Sequence, residues 1–102
     1  MGLLRRMLRK MIESFADKQT EKLWNGKRTR FPPDLEDRIA NKLSVLNAAT
    51  DLPEIRVPPS NQLEALRGDR KGQYSIRINP QWRLCFRWDN GNAHDVEVTD
   101  YH

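Results

Sequence analysis

A switch in hydrophobic period predicts an α+β fold, with an N-terminal strand and helices packed on a C-terminal antiparallel sheet. Leu35, Ile39, Leu43 and Leu46 recur at i, i+4, i+8 and i+11, which draws one apolar stripe along a helix. From Gln73 onward the period becomes two, as in strands with one buried face. The length of 102 residues suits one domain with one modest core.

Taken in order, Ile12 and Phe15 stand among polar residues and predict a short first strand. Residues 20–24 form a weak helical turn that Asn25-Gly26 ends. Lys27-Arg28-Thr29-Arg30 is a basic loop, and Pro32-Pro33 forbids helix before it. The main helix opens with Asp34 as N-cap, carries Glu36 and Asp37 where the helix dipole favours acids, and fades over residues 48–50. Pro53, Pro58 and Pro59 stiffen an ordered connector over residues 51–62, and Leu63 and Leu66 anchor the segment after it. Tyr74, Ile76 and Ile78 then alternate with Ser75 and Arg77, and Asn79-Pro80 turns the chain. Trp82, Leu84, Phe86 and Trp88 alternate with Arg83, Cys85 and Arg87. Asp89-Asn90-Gly91-Asn92 is a hairpin turn, after which His94, Val96 and Val98 alternate with Asp95, Glu97 and Thr99. The expected sheet is a three-stranded meander.

The net charge is +4, and Arg5, Arg6, Arg9 and Lys10 account for all of it, since the first ten residues hold no acid. Overall charge is therefore weak evidence of a nucleic-acid partner. The local excess between residues 67 and 88 is better evidence: Arg67, Arg70, Lys71, Arg77, Arg83 and Arg87 face one acid, Asp69. Residues 1–10 are not a signal peptide, because charge interrupts their apolar run and no small-residue cleavage site follows. They are expected to be a dispensable leader to a single domain over residues 11–102; an amphipathic turn against a partner or membrane surface is the other reading. No stretch reaches transmembrane length. The single Cys85 forms no internal disulfide and fits a reducing cytoplasm, and the two His and one Cys give no metal-ligand spacing.

If Trp82, Leu84, Phe86 and Trp88 face the helices, Arg83 and Arg87 project from the opposite face, and the same parity sends Arg77 there. Neighbouring strands lie about 4.8 Å apart, so these guanidiniums can converge on phosphate oxygens. The competing reading is an ordinary exposed face on which cross-strand acids such as Asp95 and Glu97 pair with them. Trp82 and Trp88 belong to the core by parity, Cys85 reads as structural, and His94 as a solvated edge residue. Strict alternation would put Asp100 and His102 on the apolar face, so the last strand is expected to end or bend after Val98. The chain ends on Asp100-Tyr101-His102, an acid, a phenol and an imidazole beside a cationic strip. Such a set can move protons and hold a phosphate.

Leu63-Glu64-Ala65-Leu66-Arg67-Gly68-Asp69-Arg70, Gly72-Gln73-Tyr74-Ser75-Ile76-Arg77-Ile78-Asn79, Gln81-Trp82-Arg83-Leu84-Cys85-Phe86 and the terminal Asp100-Tyr101-His102 resemble HigB-type toxins of the RelE/ParE superfamily. The resemblance runs from about Met11 to His102, and the Trp-Arg strand is specific in combination with the terminus. It implies a RelE-like, microbial RNase-like fold and a toxin of a type II toxin–antitoxin pair that cleaves mRNA on the translating ribosome. It implies catalytic roles for Arg67, Arg83, Asp100, Tyr101 and His102, with Arg70, Lys71, Arg77 and Arg87 left as RNA-binding cations. The implied partners are a HigA-like helix-turn-helix antitoxin, the ribosome with its message, and operator DNA through the antitoxin complex. No metal or other cofactor is implied, and no membrane.

In that reading the ribose 2′-OH attacks the adjacent phosphate, leaving a 2′,3′-cyclic phosphate and a 5′-OH. His102 exchanges the protons, Asp100 orients it, Tyr101 stacks on a base or assists, and Arg83 and Arg67 stabilise the pentavalent phosphate. Some relatives carry His where this chain has Glu64, and Lys where it has Arg67. Arg keeps the charge but cannot act as a proton donor near neutral pH. The alternative is a non-enzymatic inhibitor of DNA gyrase, like the ParE branch of the superfamily, since fold alone does not settle function.

Overall fold

The computed structural model describes residues 11–100, and the expectations for residues 1–10, Tyr101 and His102 lie outside them. The alternating segments build a four-stranded antiparallel sheet in the order β1-β2-β3-β4. The strands are β1 (Glu64–Ala65), β2 (Tyr74–Arg77), β3 (Trp82–Asp89) and β4 (Asn92–Asp100). The short β1, which pairs Glu64 with Ser75 and Ala65 with Tyr74, extends the expected meander by one strand.

Two turns set the register. Asp89 pairs with Asn92, so Asn90 and Gly91 alone make the β3–β4 loop. Both have positive φ, 50° and 78°, the pattern of the turn whose twist matches a hairpin. Between β2 and β3 the Asn79 side-chain oxygen accepts from the backbone N–H of Gln81 at 2.8 Å and of Trp82 at 2.7 Å. This is a side-chain substitute for a backbone turn.

A bulge interrupts the β3–β4 ladder: Cys85 pairs with Glu97, but Arg87 pairs with His94. Asp95 occupies it with φ 52°, a left-handed conformation that Asp tolerates better than most residues. The extra residue changes which side chains share a face. Ala93 and Val96 are both fully buried, while His94 lies across from Arg87 on the outer face. The expected grouping of His94 with Val96 and Val98 is therefore corrected. So is the expected end of the strand: β4 runs on to Asp100, which pairs with Trp82.

The free edge of β4 is covered. Ile12 and Phe15 do not make a continuous strand; they form two isolated parallel bridges, to Ala93 and Val96. Ala93 N–H donates to the Met11 carbonyl at 2.7 Å, and Val96 N–H to that of Ser14 at 3.1 Å. Helix α1 (Lys18–Trp24) continues the cover, since the Val98 N–H donates to the buried Thr20 hydroxyl at 3.2 Å. That hydroxyl donates in turn to the Asp17 carboxylate at 2.7 Å, and Asp17 caps α1.

Helix α2 (Pro33–Ala48) lays Leu35, Ile39, Leu43 and Leu46 into the core with Ile76, Leu84, Phe86 and Val96 of the sheet. It starts two residues earlier than expected. Pro33 takes the first helical position, where its missing N–H costs nothing, so Asp34 sits inside the first turn and is not the cap. The connector holds two short 3₁₀ turns, Leu52–Arg56 and Pro59–Asn61. Asn61 is fully buried and fastens it to α2: its amide donates to the carbonyls of Ile55 at 3.0 Å and Val57 at 3.3 Å, and its oxygen accepts from Lys42 at 2.6 Å.

Removing that amide leaves a buried carbonyl and a half-buried ammonium without a partner. Asn61→Ala is expected to cost about 2 kcal/mol, which for a domain of this size lowers Tm by roughly 10 °C. Thermal unfolding followed by circular dichroism checks this, and a midpoint unchanged within two or three degrees would contradict it.

Candidate active site

The outer face of the sheet, away from the helices, is built by the odd-numbered positions. Register places Ser75, Cys85 and Glu97 in one cross-strand row and Arg77, Arg83 and Thr99 in the next. A cleft of about 190 Å3 opens on this face, lined by Leu66, Arg70, Ser75, Arg83, Cys85, Thr99 and Asp100. Two of the sequence-predicted catalytic residues, Arg83 and Asp100, thus share one cleft. A third, Arg67, lines a shallower groove with Glu64, Ala65 and Leu66. Leu66 is common to both hollows, so they are neighbours.

Arg83 is the main correction. Alternation predicts its face but not its depth: it is only 5 % exposed. Its Nε donates to the Ser75 hydroxyl at 2.7 Å, and one terminal nitrogen donates to the carbonyl of Gln62 and, at 3.4 Å, to that of Ser75. These acceptors fix the guanidinium in the cleft wall. They also tie the connector to β2, because Gln62 follows directly on the buried Asn61. Arg83 is therefore structural as well as a candidate for phosphate contact.

The expected convergence of Arg77, Arg83 and Arg87 is not found. Arg87 pairs with Asp95 at 3.4 Å at an exposed position. Its terminal nitrogen lies 3.1 Å from where a Cβ on Gly72 would sit, which the exposed side chain can yield, but Gly72 has φ +94°, a conformation that favours glycine. Arg77 lines a different hollow, against α2. Arg70 reaches over the face to Glu97 at 2.9 Å and to the Gln73 side chain at 3.0 Å. The cross-strand acids Glu97 and Asp95 thus neutralise two of the predicted cations, as the competing reading of this face expects. Lys71 and Arg67 are exposed at the two ends of the Gly68–Arg70 turn.

Sequence reasoning missed Ser75, Thr99 and Leu66 as cleft walls. Parity with Arg77 and Arg83 carries Ser75 and Thr99; nothing in the sequence signals that Leu66 folds over the face. The Thr99 hydroxyl is buried and, among the described residues, without a hydrogen-bond partner, which is uncommon for such a group. The buried Cys85 thiol forms part of the wall. Asp100 is exposed, and its carboxylate accepts from the Gln81 amide at 3.2 Å. Among the described residues no three His, Cys, Asp or Glu side chains are placed to hold a metal ion, and no helix is long and apolar enough to cross a membrane.

Comparison with known proteins points one way. The model of the RelE-like HigB toxins of type II toxin–antitoxin systems matches residues 13–102. Toxin HigB-1 of Vibrio cholerae is 41% identical over 85 residues, spanning 81% of this chain and 90% of its own. Endoribonuclease HigB of Proteus vulgaris is 34% identical over 93 residues, spanning 90% of this chain and 100% of its own. Among solved structures, E. coli YafQ superposes with a TM-score of 0.58 at 14% identity, covering 88% of this chain and 93% of that one. At that identity the likeness is one of fold, and it is the RelE-like fold that the sequence predicts.

Because Arg83 ties two segments together, Arg83→Ala is expected to destabilise the domain by about 2–3 kcal/mol, the cost of orphaning buried acceptors of a charged donor. Urea unfolding would show a lower midpoint at unchanged slope. Wild-type stability would mean that water replaces the guanidinium without loss.

Proposed function

The chain belongs to the HigB family of RelE-like toxins from type II toxin–antitoxin systems and is an mRNA endoribonuclease; from that premise we propose that it cuts the message on the translating ribosome, by metal-free attack of a ribose 2′-OH on the adjacent phosphate. As a type II toxin it has an antitoxin partner. We propose that this partner is a HigA-like helix-turn-helix protein whose complex with the toxin binds operator DNA, and that the toxin acts in the cytoplasm.

The observation that carries the reading is that Arg83 and Asp100 line one cleft, Arg83 from the outer face of the sheet and Asp100 from the exposed end of β4. A fixed guanidinium suits the task. The pentavalent phosphate gains negative charge, and a cation already held in place by Ser75 and Gln62 needs no reorganisation to meet it. Arg67 supplies a second cation from the adjoining groove. Asp100 stands at the rim of the cleft directly before Tyr101 and His102, and the family match extends through these residues. In the proposal His102 carries the proton taken from the 2′-OH and returned to the leaving 5′-oxygen. Asp100 orients its imidazole, and Tyr101 stacks on a base beside the scissile bond.

The remaining cations divide by their partners. Lys71, exposed at the other end of the Gly68–Arg70 turn from Arg67, is the stronger RNA contact. Arg70 and Arg87 contribute less, because Glu97 and Asp95 offset them. The match over residues 13–102 also supports a nuclease domain confined to residues 11–102 with residues 1–10 dispensable. The gyrase-directed alternative gains no support from the relatives, which carry HigB names.

His102→Ala is expected to slow message cleavage on programmed ribosomes by about 10²–10⁴-fold while leaving Tm and antitoxin binding unchanged. The assay is run in EDTA, where the wild-type rate should persist. Full cleavage and full growth inhibition without His102 would overturn the nuclease assignment of this terminus.

A further inference from the structure

A second hollow, of about 300 Å3, lies where the end of β2 meets α2, outside the cleft just described. Arg38, Asn41 and Lys42 line it from the helix, and Arg77 and Asn79 from the strand end and the turn. Arg38 and Lys42 stand one helical turn apart, so both side chains reach the same side. Three cations and no acid line the hollow. Elsewhere on the molecule, Arg70 and Arg87 are matched by carboxylates. Among the described residues neither Arg38 nor Arg77 joins an ion pair or a side-chain hydrogen bond. Lys42 donates to the neutral Asn61 amide, and burial lowers its pKa. Three cations gathered without a counter-charge repel one another, and an anion seated among them removes that cost.

We propose that Arg38, Lys42 and Arg77 form a second phosphate site, which holds a backbone phosphate of the same RNA strand whose scissile bond lies in the cleft. Position favours this strand. Arg77 in the wall of the hollow pairs in register with Arg83 in the wall of the cleft, so adjacent backbones about 5 Å apart join the two walls. An RNA strand leaving the cleft past Arg83 crosses the β2 end of the sheet and meets the hollow next. Guanidiniums are the side chains best fitted to phosphate oxygens, and Asn79 and Asn41 add neutral polar groups to the wall. The site reads no base; it fixes where the strand lies, as phosphate contacts generally do. The inference rests on the nuclease reading of the neighbouring cleft.

The test uses the full chain with ribosomes programmed by two RNAs made uncleavable by a 2′-deoxy substitution at the cleavage position. One is long enough to pass both sites and the other spans the cleft alone. The double variant Arg38→Gln with Arg77→Gln removes charge from two side chains that hold nothing in the fold, and its Tm should stay within a few degrees of wild type. It is expected to bind the long RNA about tenfold more weakly and to lower the slope of log affinity against log salt by roughly 0.7, the value for one phosphate on a single strand. Binding of the short RNA should not change, and Arg56→Gln, an exposed cation outside the hollow, should behave as wild type. Equal binding of the long RNA by variant and wild type would overturn the proposal. Weakened binding only to ribosomes lacking message would assign the hollow to ribosomal RNA and overturn it equally. A wild-type chain that binds neither RNA and leaves ribosomal message intact would instead remove the nuclease reading, and the inference with it.

Discussion

The guanidinium of Arg83 is the contact on which the site depends. It is buried on the face of the sheet opposite the helices, bonded to Ser75 of β2 and to the carbonyl of Gln62 in the connector. A charge taken out of water is tolerated only where acceptors replace the solvent. Ser75 and Gln62 provide them, and each is held in turn: Ser75 by the β2 ladder, Gln62 by its place next to Asn61. The geometry of the cleft wall is thus set by the fold before any substrate arrives. That is the condition under which a cation contributes most to stabilising developing phosphate charge.

The rest of the architecture positions this face. The Asn90-Gly91 turn and the Asn79 turn fix the register that brings Arg83 between Arg77 and Thr99. The bulge at Asp95 then allows β4 to bury both Ala93 and Val96 while keeping His94 with Arg87 outside. Without that extra residue Ala93 and Val96, three apart, would face opposite sides of the sheet. The N-terminal segment and Thr20 occupy the outer edge of β4, which leaves its last residues paired through to Asp100. The terminal acid is therefore delivered to the cleft by a strand, and its backbone position is fixed on one side by Trp82.

Much of this is legible in the residues, and the misses have physical reasons. The spacing of Leu35, Ile39, Leu43 and Leu46 locates the main helix, and the Asp-Asn-Gly-Asn turn locates the hairpin, because both signals are local. Parity gives the correct face for Ser75, Arg83 and Thr99. It cannot give depth, since depth depends on Leu66 and the Gln62 loop folding over that face, which is a tertiary fact. The bulge is invisible in the sequence because Asp95, not glycine, takes the left-handed conformation. For Arg77 parity gives the right face but the wrong neighbours: it sits at the end of β2, where a long side chain reaches past the sheet toward α2. The two residues of β1 are too few to show a period. The terminal triad is recognised by likeness to a family, and the family match over residues 13–102 supports that recognition as a whole without testing each residue's role.

In the proposed chemistry the 2′-OH attacks in this cleft, the fixed Arg83 guanidinium meets the developing charge, and no metal takes part. The most direct measurement is the chemistry of the cut ends on a ribosome-bound message, in EDTA, with and without a 2′-deoxy substitution at the cleaved nucleotide. The natural message should yield a 2′,3′-cyclic phosphate and a 5′-OH, and the substituted one should stay intact. Ends bearing a 5′-phosphate, or cleavage that survives loss of the 2′-OH, would contradict it.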